Sequence, residues 1–296
     1  MDYDPIKLRL ARLLKTPALR RFFHLALDLL FLRAWYVRRE LRRISDLDDV
    51  QTPSKIPHSA LRIPHLLDAG MGFGQYSDRL LRMFPDARLV GLEIDRAHLY
   101  GAESYFRARH PNARIVLGDV RQMPLAADQF DFALTVDVME HIDDDRVTFT
   151  EFHRVLKPGG ALVIHTPRIK DEAPSLPAPT HEQGKRWCVG EHVRDGYRES
   201  EARERLEAAG FRIVRIVRGY GRWGMFAWTL LQRVPLAMLG ASRWLAPVAA
   251  LYLLPALPIG LLAMWMDIRI GDHPDGGSLL IVAQKPHSVT FKNLKH

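Results

Sequence analysis

The sequence predicts an α/β fold, a mostly parallel sheet covered by helices on both faces. From Pro64 onward short apolar runs alternate with helical patterns, as strand–helix units require. Several of the helical patterns stop at proline or glycine: Pro85, Pro111 and Pro158-Gly159-Gly160. The composition, 47% hydrophobic and 26% charged, is that of a globular chain and excludes disorder and collagen-like structure.

The elements follow in order. Residues 65–69 (HLLDA) form a short strand that runs into glycines, and 75–84 an amphipathic helix stopped by Pro85. Residues 88–94 (RLVGLEI) are the second strand. Asp95 can cap the next helix, which runs to about His110. Residues 114–117 and 130–136 are the third and fourth strands. A helix over 145–156 ends at Lys157-Pro158-Gly159-Gly160, and 161–166 (ALVIHT) is the fifth strand. Ser200 can cap a helix over 201–209, with Gly210 as its left-handed terminal residue. Residues 211–217 and 278–283 complete seven strands. In such a sheet the ligand crevice lies at the carboxyl ends of the strands, so the polar residues there are the candidates.

The first strand ends in Asp68-Ala69-Gly70-Met71-Gly72-Phe73-Gly74. Glycines at alternate positions let the backbone turn sharply and approach a ligand closely. The spacing departs from G-x-G-x-x-G, because Gln75 stands where the last glycine would fall. That weakens a pyrophosphate reading and leaves a tight turn as the alternative. Glu93, at the second strand's end, can accept hydrogen bonds from both hydroxyls of a ribose. Asp119, at the third, can accept from an exocyclic adenine amine, with apolar neighbours flanking the ring.

Together the runs LDAGMGFGQYS, GLEID, GDVRQMPLAADQFDFALTVDVMEHIDD and LKPGGALVIHTP resemble class I S-adenosylmethionine-dependent methyltransferases. The resemblance is to the type 11 set, which includes quinone-biosynthesis enzymes, and covers about residues 60–220 plus the last strand. It implies a Rossmann-like seven-stranded sheet with S-adenosylmethionine as cofactor. Asp68, Gly70, Gly72 and Gly74 would hold its methionine part, Glu93 the ribose and Asp119 the adenine. Met123 would pack near the ring, and the backbone of Asp137 would face the sulfonium. Glu140-His141 matches a pair frequent in the family, with His141 read first as structural or cofactor-lining.

Methyl transfer from a sulfonium is a direct displacement, for which alignment can contribute ~7–11 kcal/mol. A base is needed only where the acceptor must lose a proton early. Besides His141, the candidates are His181, His192 and Tyr197, in a loop over 167–198 long enough to suggest a lid or binding role. Each histidine there is also readable as a surface residue. The marks of base-amino, cysteine-based and arginine methyltransferases are absent. Val136-Asp137-Val138-Met139 stands where base-amino enzymes resemble N/D-P-P-Y, the lone Cys188 lies in no ring-methylation motif, and only Glu140 is present of a two-glutamate loop. Small molecules or lipids remain as acceptors. One cysteine forms no internal disulfide and no Cys-based zinc site, and a reducing, cytosol-facing location follows as the default. No metal is expected.

The charge is concentrated. Of a net +8, residues 1–44 carry +7, from eleven basic and four acidic side chains. The body is nearly neutral, which excludes a uniformly basic nucleic-acid binder. Thr16-Pro17 reads as a helix start, and residues 22–32 form a short apolar stretch between basic clusters, too short to span a bilayer. Residues 244–266 hold 23 positions without a charge, interrupted by Pro247, Pro255 and Pro258. The expectation is a basic amphipathic helical region at 1–58 and a methyltransferase domain at 59–222 and 271–286. An apolar insertion at 223–270 would fold as a pair of interfacial or re-entrant helices, with Trp228, Trp244 and Trp265 near headgroups. The protein would then be a peripheral enzyme of the inner membrane face, meeting anionic lipid and a hydrophobic acceptor. The alternatives are a soluble enzyme using the insertion as a lid or homodimer contact, and a non-catalytic adaptor that keeps the fold.

Overall fold

The computed structural model describes residues 16–46, 65–99, 102–170 and 193–287. Its centre is a seven-stranded sheet in the order β3-β2-β1-β4-β5-β7-β6. The strands are β1 (His65–Ala69), β2 (Arg88–Glu93), β3 (Ala113–Leu117), β4 (Phe130–Val136), β5 (Leu156–Pro167), β6 (Arg212–Gly219) and β7 (Ser278–Gln284). The first five run parallel, and β7 lies antiparallel between β5 and β6. The chain order reverses between β1 and β4, so the crevice expected of such a sheet opens above their carboxyl ends.

Side chains alternate across the sheet and make two cores. Leu66, Phe132, Leu134, Val163 and Val282 face one side, and Leu67, Ala133, Leu162, Ile164 and Ile281 the other. The second side is covered by α6 (Asp145–Val155) and α7 (Glu199–Ala208). On the first side lie α2 (Leu32–Asp46), α3 (Gln75–Met83) and α5 (Ala102–Arg109), with α4 (Arg96–Leu99) before α5.

Local differences from the sequence reading have local causes. Lys157-Pro158-Gly159-Gly160 belongs to β5 rather than to a turn. Gly159 donates to Lys285 O at 2.8 Å and Lys285 donates to Gly160 O at 2.9 Å, and Gly159 accommodates this at φ +85°. Helix α7 starts at Glu199, so Arg198 rather than Ser200 holds the cap position. Gly210 ends that region left-handed, at φ +92°, as its type allows.

The amino-terminal helix α1 (Pro17–Leu30) begins as its sequence predicts, with the Thr16 hydroxyl accepting from Leu19 N at 3.4 Å. Its polarity is the reverse of an ordinary packed helix. Arg20, His24 and Asp28, four residues apart, are the buried positions, while Leu19, Phe22, Leu25 and Leu29 are exposed, Phe22 by 68%. Phe31 is extended and turns the chain into α2.

The apolar insertion is a helical excursion from the end of β6. It comprises α8 (Arg222–Trp228), a π turn (Thr229–Arg233), α9 (Val234–Ala241), a short turn (Arg243–Leu245) and α10 (Ala246–Ile270). The prolines do not break α10, which runs unbroken for 25 residues. Pro247 sits in its first turn, where no bond is lost. Pro255 and Pro258 lie on the exposed face, so the backbone bonds they remove are on the outer side. By length and composition α10 could cross a membrane, with 28% of its most apolar window buried. Its inner face carries Ala249, Ala256, Gly260 and Ala263, and Leu231 occupies the space a side chain at Gly260 would need. Asp267, fully buried, fastens the end of α10 to the body. It accepts from Tyr36 Oη at 2.8 Å and from Gly224 N at 2.8 Å.

Candidate active site

The turn after β1 is built from left-handed glycines, Gly70, Gly72 and Gly74, at φ +78°, +54° and +87°. A β-carbon at Gly70 would collide with Val138, and one at Gly74 would lie 2.6 Å from the Phe106 ring. At Gly72 nothing lies within 4 Å of that position, so the loop presents open backbone there. Beneath it, Asp68 is fully buried and accepts from the Ser77 hydroxyl at 2.6 Å. Burial pushes its carboxyl up to about 7.

Glu93 closes the other wall. Its Oε2 accepts from Gly72 N at 2.7 Å, and its Oε1 from Ile94 N at 3.1 Å and Asp95 N at 2.9 Å. Burial opposes its charge, but His98 and these N–H donors outweigh that and hold its carboxyl below the usual range. A charged acid fixed 2.7 Å from an open glycine loop suits a ligand rich in hydroxyl donors, so these residues fit the nucleoside end of S-adenosylmethionine. Asp119, beyond β3, is held in a bidentate pair by Arg121, with Nη2 to Oδ2 at 2.6 Å. Met123 is a core residue, its backbone N–H donating to Glu151 Oε2 at 2.8 Å and its carbonyl accepting from Arg154.

Where β4 and β5 end, a buried polar cluster forms. Asp137, left-handed at φ +53°, accepts from His165 Nδ1 at 2.7 Å and pairs with Arg33 Nη1 of α2 at 2.9 Å. Tyr220, also left-handed at φ +59°, accepts from Arg33 N at 3.0 Å. Its ring is tilted against His165, centroids 6.4 Å apart. Burial works against the charge of Asp137, yet Arg33 and His165 hold its carboxyl below the ordinary range. Glu140, whose carboxylate accepts from the Thr166 hydroxyl at 3.2 Å, is pushed the other way by burial and by the charge of Asp137.

Residues 67–164 match the family described as "Methyltransferase domain". That stretch is a methyltransferase domain. A probable S-adenosylmethionine-dependent methyltransferase of Mycolicibacterium smegmatis is 30% identical over 148 residues, 50% of this chain and 52% of that protein. A malonyl-[acyl-carrier protein] O-methyltransferase of Hahella chejuensis is 33% identical over 103 residues, 34% and 36%. A sterol 24-C-methyltransferase of Candida albicans is 27% identical over 154 residues, 50% and 40%. The matched stretch thus spans about a third to a half of these relatives' lengths. A solved structure from Galdieria sulphuraria, provisionally described as a sarcosine dimethylglycine methyltransferase, shares the fold with a TM-score of 0.52 at 17% identity, covering 77% of this chain and 79% of that one.

In this methyltransferase domain the glycine loop is clamped from outside by α1. Arg20 Nη1 and His24 Nε2 both donate to Phe73 O, at 3.0 and 2.9 Å, and Phe23 meets the Phe73 ring edge-on. Behind them Asp28 accepts from Gln75 Nε2 at 2.8 Å and pairs with Arg79 on α3. Nothing in the motifs announced this clamp, nor the presence of Arg33, Tyr76, His165 and Tyr220 at the site.

The proposed proton-transfer residues are scattered. His141 lies on the turn Met139–His141, just after Asp137 in the chain. Tyr197 is a correction: it is buried in the core on the opposite side of the sheet from His165. Its hydroxyl donates to Asp145 Oδ2 at 2.5 Å, between the guanidinium groups of Arg194 and Arg205. It fastens the chain before α7. His181 and His192, with Cys188, lie outside the described residues.

Proposed function

We propose that this protein is an S-adenosylmethionine-dependent methyltransferase that works on a hydrophobic or lipid-like acceptor at the cytosolic surface of a membrane. Asp68 and the three glycines would hold the methionine end, Glu93 the ribose hydroxyls, and Asp119 the adenine amine in exchange with Arg121. Met123 would back the ring, and Asp137 would face the sulfonium through its backbone. When bound, the cofactor supplies an electrophilic methyl group. The chain's own work is to align the acceptor and exclude water from the Asp137–Arg33 corner.

The observation that carries the membrane reading is the outward apolar surface beside this corner. Leu19, Phe22, Leu25 and Leu29 of α1 are exposed, as are Trp244, Leu251, Leu254 and Leu262 of the insertion, Trp244 by 79%, Leu251 by 67% and Leu254 by 71%. The two elements meet where Gln232 Nε2 approaches Leu30 O at 3.5 Å, two residues before α2 begins. Pro255 and Pro258 leave carbonyls on that face without helical donors, which suits the hydrated interface rather than the hydrocarbon centre. The basic residues at 7–15 and Arg21 lie next to the same helix in sequence, where each can contribute ~1 kcal/mol on an anionic leaflet. Sterol and acyl-carrier substrates in the names of relatives support a hydrophobic acceptor.

Calorimetry with S-adenosylmethionine, followed by incubation with methyl-labelled cofactor and a cell lipid extract, tests this reading. The wild-type protein binds the cofactor and labels an extractable lipid. Glu93→Ala weakens binding about tenfold or more, the worth of hydrogen bonds to a charged group. An affinity unchanged in Glu93→Ala means the ribose assignment is wrong.

A further inference from the structure

Resting on the methyltransferase reading above, we propose that His165 is the general base of the transfer, oriented by Asp137, and that the methyl acceptor is a moderately acidic hydroxyl such as a phenol or enol on a hydrophobic body. His165 lies at the carboxyl end of β5, in register with Val136, and shares its face with Ala161 and Val163. That puts the imidazole on the side where α2 and Tyr220 cover the strand ends, beside the residue assigned to the sulfonium.

The ring's protonation pattern follows from its partners. Asp137 is a carboxylate, so it can only accept, and His165 Nδ1, 2.7 Å away, must donate. In the neutral ring Nε2 then carries a lone pair. The residue is 3% exposed, and Nε2 is buried with no hydrogen-bond partner among the described residues. Buried polar nitrogens are nearly always paired, so an oriented, unpaired acceptor at a strand end of the crevice is placed for a ligand's proton. His24, His65 and His98 also hold one unpaired buried ring nitrogen, so what marks His165 is its place at the end of β5 against Asp137.

The surrounding charges select the acceptor. Asp137 and Tyr220 touch or face the ring, and Arg33 from α2, Tyr76 from α3, and Glu140 and His141 after β4 are the titratable groups gathered around Asp137 and Arg33. The Arg33 guanidinium disfavours an ammonium at this corner and favours developing negative charge on oxygen. A free carboxylate needs no base. An imidazole is matched to a hydroxyl of phenol-like acidity, near 10 for tyrosine, far better than to an aliphatic alcohol. In the step itself the acceptor O–H proton passes to Nε2 while an oxygen lone pair forms the new O–C bond to the methyl group. The C–S bond breaks, its electron pair stays on sulfur as S-adenosylhomocysteine, and the imidazolium returns its proton to solvent.

The test uses the full chain and two readouts. NMR of protein labelled with nitrogen-15 in histidine, with His165 assigned by its loss in His165→Gln, should show Nδ1 protonated and Nε2 free at neutral pH, and Asp137→Asn should abolish that preference. A ring protonated on Nε2 alone overturns the proposal. With methyl-labelled S-adenosylmethionine and a cell lipid extract, His165→Gln should lose about 100-fold or more in kcat, the usual worth of a general base. Its cofactor affinity should stay within about threefold of wild type. Its residual rate should climb steadily with pH as the acceptor ionises unaided, a response that a packing defect does not produce. Wild-type rate and pH profile in His165→Gln, or a product methylated on carbon or nitrogen, overturns the proposal. Failure of the wild-type protein to bind S-adenosylmethionine overturns the methyltransferase reading beneath it. Binding without any labelled lipid overturns the acceptor class.

Discussion

Two residues at the strand ends, Asp137 and Tyr220, hold backbone conformations that L-residues avoid. Such conformations cost about 1–3 kcal/mol each and persist only where surroundings impose them. Here the Asp137 N–H donates to His165 O at 2.9 Å, and the Tyr220 carbonyl accepts from Gly277 N at 3.2 Å, so the strain is fixed at the site by the sheet. Asp68 shows the same concentration of stress in its ionisation. Its folded-state value, about 7, lies above the ordinary value of about 3.9. A carboxyl that holds its proton more tightly when folded contributes stability below about pH 4 that is lost as pH rises through 7. Urea midpoints of the cofactor-free protein should therefore fall, relative to Asp68→Asn, as pH is raised from 5 to 8. Parallel pH curves for the two proteins would show that Asp68 titrates normally.

At the scale of elements, α1 is held to the body by charge and hydrogen bonds, with the Phe23–Phe73 contact beside them. Asp28 is the centre, reached by Gln75, Arg79 and Arg82. Removing it strands the largely buried Arg79, so Asp28→Ala should cost about 3 kcal/mol in urea unfolding. A cost below 1 kcal/mol would mean α1 is docked by other contacts. This helix also marks where sequence reading stops. Its start was legible in Thr16-Pro17, and its apolar run in residues 22–32. Which side faces inward was not, because that depends on Asp78 and Arg79, about fifty residues further on. The glycine turn and the acids at the ends of β1, β2 and β3 were legible because few residue types tolerate those positions. His165 read only as a strand residue, since its distinction comes from Asp137 across the sheet and from Arg33 on a helix with no motif. The prolines of α10 misled for a related reason. They interrupt a helix that must bond on every side, whereas here they fall on the face left exposed among the described residues.

At the scale of the molecule, the exposed apolar residues of α1 and α10 are the surface on which the proposed membrane association rests. The paired substitution Leu251→Glu with Leu254→Glu should lower the fraction of protein sedimenting with anionic vesicles about tenfold, leaving S-adenosylmethionine affinity unchanged. Raising salt should weaken the wild-type association through its basic amino terminus. Vesicle binding unaffected by the paired substitution, or a dimer in solution that the substitution dissolves, would assign this face to a second copy of the chain instead.

The insertion leaves and rejoins the sheet almost at one point. His273 N donates to Arg218 O at 2.9 Å and Gly277 N to Tyr220 O at 3.2 Å, so the ends of the 222–270 excursion are stitched to each other before β7 enters between its neighbours. Such an excursion is a cassette. Its length and greasiness can drift over generations without disturbing the register of any strand, while the glycine loop and Glu93 stand after β1 and β2, in the other half of the strand order. The cofactor half can therefore stay fixed while the excursion varies, and Asp267, with Arg39 on the Ile268 carbonyl, is a clasp any replacement cassette would have to reproduce or do without.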